Sequence, residues 1–242
     1  MPTLLLQCVA PLQSWGTQSD FTVRDTGREP SKSGIIGLLC AALGRPRSEP
    51  IDDLAQLAMG VRVDREGQIL RDYHTAGQGG LQKGILKADG KGVSKSTILS
   101  NRYYLTDALF LVGLSGDDQL LQTLHNALSQ PRWMLFLGRK ACPPARPVYL
   151  PDGLQDKPLL DTLKSYPWLG WNIVEYNNLP PPRLVLEANT LKDKESSGMK
   201  KETPLSFTKG KRQFALRRFQ TTFMESMPPF RPLFNQLEEA TA

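Results

Sequence analysis

Histidine is nearly absent from this chain: His74 and His125 are the only two in 242 residues. That is too few ligands for a zinc site built on imidazole. Cysteine is scarce as well. Cys8, Cys40 and Cys142 form no C-x-x-C pair, and two of them sit inside apolar runs, where they read as buried thiols. An odd count, with no basic n-region before the first apolar segment, argues against a secreted disulfide scaffold and points to a reducing cytoplasm. Long hydrophobic runs are missing. The longest, residues 35–43, is too short to span a bilayer, so no membrane role is expected. Paired carboxylates at metal-binding spacing are also missing, because Asp52-Asp53 and Asp117-Asp118 read as charge at helix N-termini. Neither a cofactor nor a metal is expected. A nucleotide loop is excluded too. Counted back from Lys32-Ser33, the pattern G-x-x-x-x-G-K-[ST] needs glycines where Thr26 and Ser31 stand.

What is present is a core and a positive charge. Hydrophobic residues make up 40% of the chain, enough to exclude wholesale disorder. The net charge is +6 and the pI about 9.3, which favours an anionic partner. Thr3–Val9 reads as a buried first strand. Residues 32–43 read as a small-residue apolar helix, with Pro30 and Ser31 at its start and Gly44 at its left-handed end. Its first turn, beside Lys32 and Ser33, suits the backbone phosphate of a nucleic acid. A second short helix is expected at residues 51–59. Residues 61–64 and 68–72 flank Arg65-Glu66-Gly67 as a hairpin. Residues 103–114 read as one strong strand, and residues 117–128 as an amphipathic helix ended by Pro131. This order fits an α+β fold with an RRM or ferredoxin-like βαββαβ palm. Such a palm carries two helices on one sheet face and leaves the other face free for bases.

Two segments resist that scheme. Residues 75–101 hold six glycines, with lysines at Lys83, Lys87, Lys91 and Lys95. The lysine spacing suits a helix, but glycines costing about 1 kcal/mol each predict an extended, flexible arm between two strands. Residues 190–204 are polar, charged and aperiodic, and read as a mobile basic loop. Strands near 183–188 and 213–219 complete a small β-rich appendage over residues 151–242, after a palm spanning residues 1–150.

The charge is clustered. Residues 190–220 carry nine basic and three acidic side chains, residues 132–146 carry four basic and none acidic, and the loops near residues 24–47 add a basic surplus of three. Aromatics adjoin several of the cations, as in Tyr73-His74, Arg102-Tyr103-Tyr104, Arg132-Trp133 and Arg218-Phe219. Phosphate pairing plus base stacking is the chemistry of single-stranded RNA recognition.

Four strings occur in order: Leu12-Gln13-Ser14-Trp15-Gly16, Gly27-Arg28 through Gly34-Ile35-Ile36-Gly37-Leu38-Leu39, Arg71-Asp72-Tyr73-His74-Thr75, and Leu137-Gly138-Arg139-Lys140-Ala141-Cys142-Pro143. Together they resemble the CasD family, the subunit of type I-E CRISPR Cascade that binds the 5′ handle of crRNA. The resemblance covers about residues 1–150. It implies an RRM-like palm, a projecting thumb matching residues 75–101, and a non-catalytic RNA-binding role in antiviral defence. The implied partners are the crRNA 5′ handle, the Cascade backbone subunit met by the thumb, and the large subunit, with target DNA nearby. The candidate RNA-binding residues are Gln13, Trp15, Arg24, Arg28, Lys32, Ser33, His74, Arg102, Tyr103, Arg139 and Lys140. The rival reading is a metal-independent endoribonuclease that processes pre-crRNA, in which His74, Tyr73 and a thumb lysine supply the base, acid and cation that RNA cleavage needs.

Overall fold

All seven residues of β1 (Thr3–Val9) are buried, so both faces of this strand are covered. The computed structural model describes residues 1–16, 22–77, 84–87, 92–94, 96–188 and 198–231. After β1 come β2 (Leu12–Gln13), β3 (Val23–Arg24), α1 (Lys32–Leu43), α2 (Asp52–Ala55), β4 (Ala58–Arg65), β5 (Gln68–Ala76), β6 (Ile85–Leu86), β7 (Val93–Ser94), β8 (Ile98–Thr106) and β9 (Leu109–Ser115). The rest of the chain forms α3 (Asp118–Ser129), β10 (Tyr149–Gln155), α4 (Leu159–Ser165), α5 (Ile173–Asn178), β11 (Arg183–Glu187), β12 (Gly198–Ser206) and β13 (Gln213–Phe223). The fold is α+β and rich in sheet.

The main sheet has seven strands in the order β10-β1-β9-β4-β11-β13-β12. The pairs along it are antiparallel. Helices α1 and α3 cover one face, where Leu4, Leu6 and Cys8 pack with Ile35, Leu39, Leu121 and Leu124. Ser31 caps α1 by accepting from the Gly34 N–H at 3.2 Å. Gly44 ends the helix at φ 71°. Both features match the sequence reading, as does the Asp117 cap of α3.

The second face is not free. Leu5, Val9, Leu109 and Leu111 meet Leu159, Leu163, Trp168 and Leu169 there. Gly60 and Gly113 face each other across β4 and β9 and let α4 approach. A Cβ at Gly60 would lie 2.7 Å from Leu163, and one at Gly113 would lie 2.5 Å from Leu159. Each such fully buried side chain contributes about 1.5–3 kcal/mol. Arg62 adds a buried lock, pairing with Asp64 at 2.6 Å and donating to the carbonyls of Leu163 (2.6 Å) and Pro167 (2.7 Å). The expectation of an open, base-binding sheet face is therefore overturned.

Four further expectations change. The second helix stops at Ala55, because Met59 already pairs with Leu114 in the sheet. The hairpin over residues 61–72 does not form. Both edges of β4 are taken by β9 and β11, so β5 leaves and pairs along nine residues with β8 instead. The single strand over residues 103–114 is two, broken at Asp107 (φ 57°), where the chain passes from one sheet to the other. Aspartate is among the residues that tolerate this left-handed geometry. The C-terminal third is not an appendage, because β11 completes the open edge of β4 and carries β13 and β12 with it. The expected mobile loop over residues 190–204 lies partly outside the described residues, and from Gly198 onward it is strand β12.

The smaller sheet is a ribbon. β8 pairs with β5 along one edge and with β2 and β3 along the other. Beyond the ribbon the two-residue strands β6 and β7 pair with each other. Within residues 75–101 the lysines Lys83, Lys91 and Lys95 lie outside the described residues.

Candidate nucleic-acid interface

Three loops are tied together where α1 begins. Gln13 is buried, donating to the carbonyls of Cys8 (3.0 Å) and Ala108 (2.8 Å) and accepting from the Trp15 indole N–H at 3.1 Å. Trp15 is buried against Gly34, where a Cβ would come within 2.9 Å of the ring. Gly138 sits at φ +95°, and a Cβ there would stand 1.7 Å from the Ser14 carbonyl, so only glycine fits. Arg139 then donates to the carbonyls of Tyr103 (3.0 Å), Arg24 (2.8 Å) and Asp25 (3.0 Å). Its guanidinium also stands 4.9 Å from the centre of the Tyr104 ring.

This junction borders a groove of about 820 Å³. Its walls are the loop at residues 14–16, the α1 positions Ser33, Gly34 and Gly37, the loop at Arg45–Arg47, the segment from Trp133 to Lys140, and Phe207, Arg212 and Phe214 from the β12–β13 hairpin. The lining holds five cations and no carboxylate. Two of those cations are committed elsewhere. Arg45 pairs with Asp53 at 2.6 and 2.8 Å, holding that carboxyl below the usual range, and Arg139 is spent on carbonyls. Arg47, Lys140 and Arg212 have no carboxylate partner among the described residues. Trp133, 47% exposed, stands beside them, with its backbone N–H on the Ala41 carbonyl at 3.1 Å. Cys40 is in the wall, but burial pushes its thiol up to about 11, so it is no nucleophile at neutral pH.

The candidate residues divide. Trp15, Ser33, Arg139 and Lys140 line the groove. Lys32 does not: it is buried and pairs with Glu187 at 2.7 Å, which corrects its expected role as a phosphate contact. Gln13 and Trp15 are likewise bound up in the core, and Arg139 has become a clip between β3 and β8. Arg28 is exposed beside a different cleft, which contains Glu29, Glu66, Arg183 and Lys200. There Arg183 bonds Glu66 at 2.6 and 2.9 Å and Glu29 at 3.1 Å, and Lys200 also pairs with Glu29, so these two cations are neutralised internally. Arg24, His74 and Arg102 share one ribbon face, because Arg102 opposes both Asp72 and Arg24. His74 Nδ1 lies 3.7 Å from the Asp72 carboxylate. Tyr103 lies on the other face, opposite Arg71. Arg47, Arg212, Phe207 and Phe214 escaped the sequence reading, which located their basic clusters but not their convergence.

Among the described residues no group of three or more His, Cys, Asp or Glu side chains is placed to hold a metal ion, and no helix is long and apolar enough to cross a membrane. Compared with known proteins, residues 3–220 match the family model of CRISPR-associated protein (Cas_Cas5). The chain belongs to the Cas5 family. The match reaches through β1 to β13, so it includes the C-terminal strands as well as the four strings. A curated relative, the CRISPR system Cascade subunit CasD of Escherichia coli (strain K12), is 34% identical over 61% of this chain and 69% of its own. One solved Cas protein is 39% identical with a TM-score of 0.72, covering 95% of this chain and all 100% of its own. A chain of a CRISPR RNA-guided surveillance complex is 32% identical with a TM-score of 0.76, covering 98% of each. Read on this Cas5 fold, the strings around Trp15, Gly34 and Gly138 are mainly scaffold. They hold the junction shut and leave the groove cations at its rim.

Proposed function

We propose that this Cas5 chain is the subunit of a Cascade-type surveillance complex that grips the 5′ handle of crRNA without cutting it, in antiviral defence in the cytoplasm. The observation that carries this reading is the acid-free groove beside the α1 N-terminus. Arg47, Lys140 and Arg212 supply unopposed positive charge for phosphates, and Trp133 supplies an exposed ring for a base. Each charge-assisted contact is worth about 1.5–3 kcal/mol, and each stacked base about 1–3 kcal/mol. The relatives support the reading through what they are: a Cascade subunit and a chain of an RNA-guided complex.

In this reading β1, α1, β4, β9, α3 and β10 are the ferredoxin-like palm, with strand order β10-β1-β9-β4. The β5–β8 ribbon and its β6–β7 tip, inserted between β4 and β9, are the thumb. Its half-exposed Leu70, Tyr73, Leu86, Val93 and Leu99 suit docking on a neighbouring backbone subunit, as large apolar groups left outside a core do. Arg24, Arg28, His74, Arg102 and Tyr103 then flank the RNA path at the base of the thumb. The large subunit and target DNA lie beyond.

The endoribonuclease alternative has weaker support. Tyr73 and His74 are successive strand residues and point to opposite ribbon faces, so they cannot act together on one phosphate. The test is to purify the chain with its neighbours and sequence the RNA that comes with it. Repeat-derived 5′ ends are expected, and RNA of random origin would overturn the reading. Incubation with repeat RNA should leave it intact. Cutting that disappears in His74→Ala would favour the nuclease.

A further inference from the structure

The β12–β13 hairpin carries charge that the groove does not use. Its residues 198–223 include seven cations and a single carboxylate, Glu202. Glu202 is buried on Arg217 at 2.7 Å, and Lys200 turns inward to Glu29 and the Phe219 ring. Arg212 lines the groove. Four exposed cations remain: Lys201 and Arg218 along the ribbon, and Lys209 and Lys211 at its turn. None has an ion-pair partner among the described residues, and none lines the groove. Lys201 opposes Leu216, and Met199 opposes Arg218, so these four residues share one face. Met199 and Leu216 are exposed there at 59% and 64%. The turn is held rather than loose. Lys211 N–H bonds the Thr208 carbonyl at 3.0 Å, and the Thr208 hydroxyl reaches the Arg47 carbonyl at 3.3 Å. Around Gly210, at φ +77°, a Cβ would meet nothing within 4 Å, so the tip stands clear of the body.

We propose that this hairpin is a second nucleic-acid contact, which grips the phosphate backbone of a double-stranded DNA outside the RNA groove. From Lys201 to the end of β12 at Ser206 is roughly 16 Å of strand at about 3.3 Å per residue, and Lys209 and Lys211 extend the charge into the turn beyond it. A duplex presents one phosphate per about 1.7 Å of its axis, so such a ribbon meets several at once. The rings near the turn, Phe207 and Phe214, line the groove, which leaves the four cations to act without a stacking partner. That is a contact for phosphates, and it suits a duplex whose bases are hidden. A two-stranded ribbon also has the width that a major groove admits.

The test loads the full chain with handle RNA and titrates a labelled DNA duplex of about 20 base pairs. The variant is Lys201→Ser, Lys209→Ser, Lys211→Ser and Arg218→Ser together. A second variant, Lys209→Glu with Lys211→Glu, confines the change to the exposed turn in case the first folds poorly. Both should weaken duplex binding about tenfold or more, and the fourfold variant should reduce the salt slope by about 3 to 4. RNA affinity should stay within about twofold, because the groove keeps its own cations. Duplex binding that is unchanged, that is lost in equal measure with RNA binding, or that free handle RNA competes away would overturn the proposal.

Discussion

At Arg139 three carbonyl oxygens converge on one guanidinium, and the adjacent Lys140 reaches solvent with none. The two residues are neighbours in the same basic string, yet they should fail differently. Arg139→Ala strips donors from the carbonyls of Tyr103, Arg24 and Asp25 and should cost about 2–3 kcal/mol of stability, read in urea or thermal unfolding. Lys140→Ala should change stability by under about 0.5 kcal/mol and lower RNA affinity instead. Glu29 gives a pH prediction. Its burial acts to raise the carboxyl, but the hydrogen bond and charge of Lys200, with Arg183, outweigh that and hold it below the usual range. A depressed folded value means that its stabilisation is present above the unfolded carboxylate range, near pH 4.3, and is lost as the pH falls through the lower folded value. Glu29→Gln should flatten the acid limb of the stability–pH curve in that window and leave the shape near neutrality unchanged. A curve with the same acid limb would show that other carboxylates carry it. At this scale the local caps Ser31 and Gly44 were legible from the chain, because their partners lie within a few residues. Lys32 was not, because its partner Glu187 is 155 residues away.

Elements were legible where periodicity decides and illegible where pairing does. β1, α1 and α3 follow from apolar runs, caps and helical spacing. β4 and β5 look like a hairpin because each is a good strand beside a turn, and no local signal says that both edges of β4 are already occupied. Asp107 hides the switch between sheets inside what reads as one strand, since its left-handed geometry is a tertiary outcome. The ribbon's outer half contributes little to the core: Tyr73, Leu86, Val93 and Leu99 remain exposed. Replacing residues 77–95 by a short turn should therefore leave thermal unfolding within about 0.5 kcal/mol of the parent and abolish assembly with the backbone subunit on gel filtration. Normal assembly after that deletion would contradict the thumb assignment, and a collapse of folding would contradict its independence from the core.

Across the whole molecule, a second layer of packing covers the sheet face left open by α1 and α3. Leu159, Leu163 and Trp168 close the sheet face that an open RRM-type palm would offer to bases, and Arg62 with Asp64 fixes them there. The proposed RNA site lies instead at the rim, where α1, the segment after α3 and the β12–β13 turn converge. A reading of charge clusters located all three segments, but only the fold brings Arg47, Lys140 and Arg212 around one groove. On the proposed function, this rim, and not the sheet face, holds the crRNA handle. The most direct measurement compares parent and the combined Arg47→Ala, Lys140→Ala and Arg212→Ala variant for binding of handle RNA across a salt series. The account predicts unchanged melting, affinity at least about 30-fold weaker, and a log–log salt slope smaller by about 2, as expected for three lost phosphate contacts on a single strand. A variant that melts like the parent and binds the handle with the same affinity and slope would contradict it.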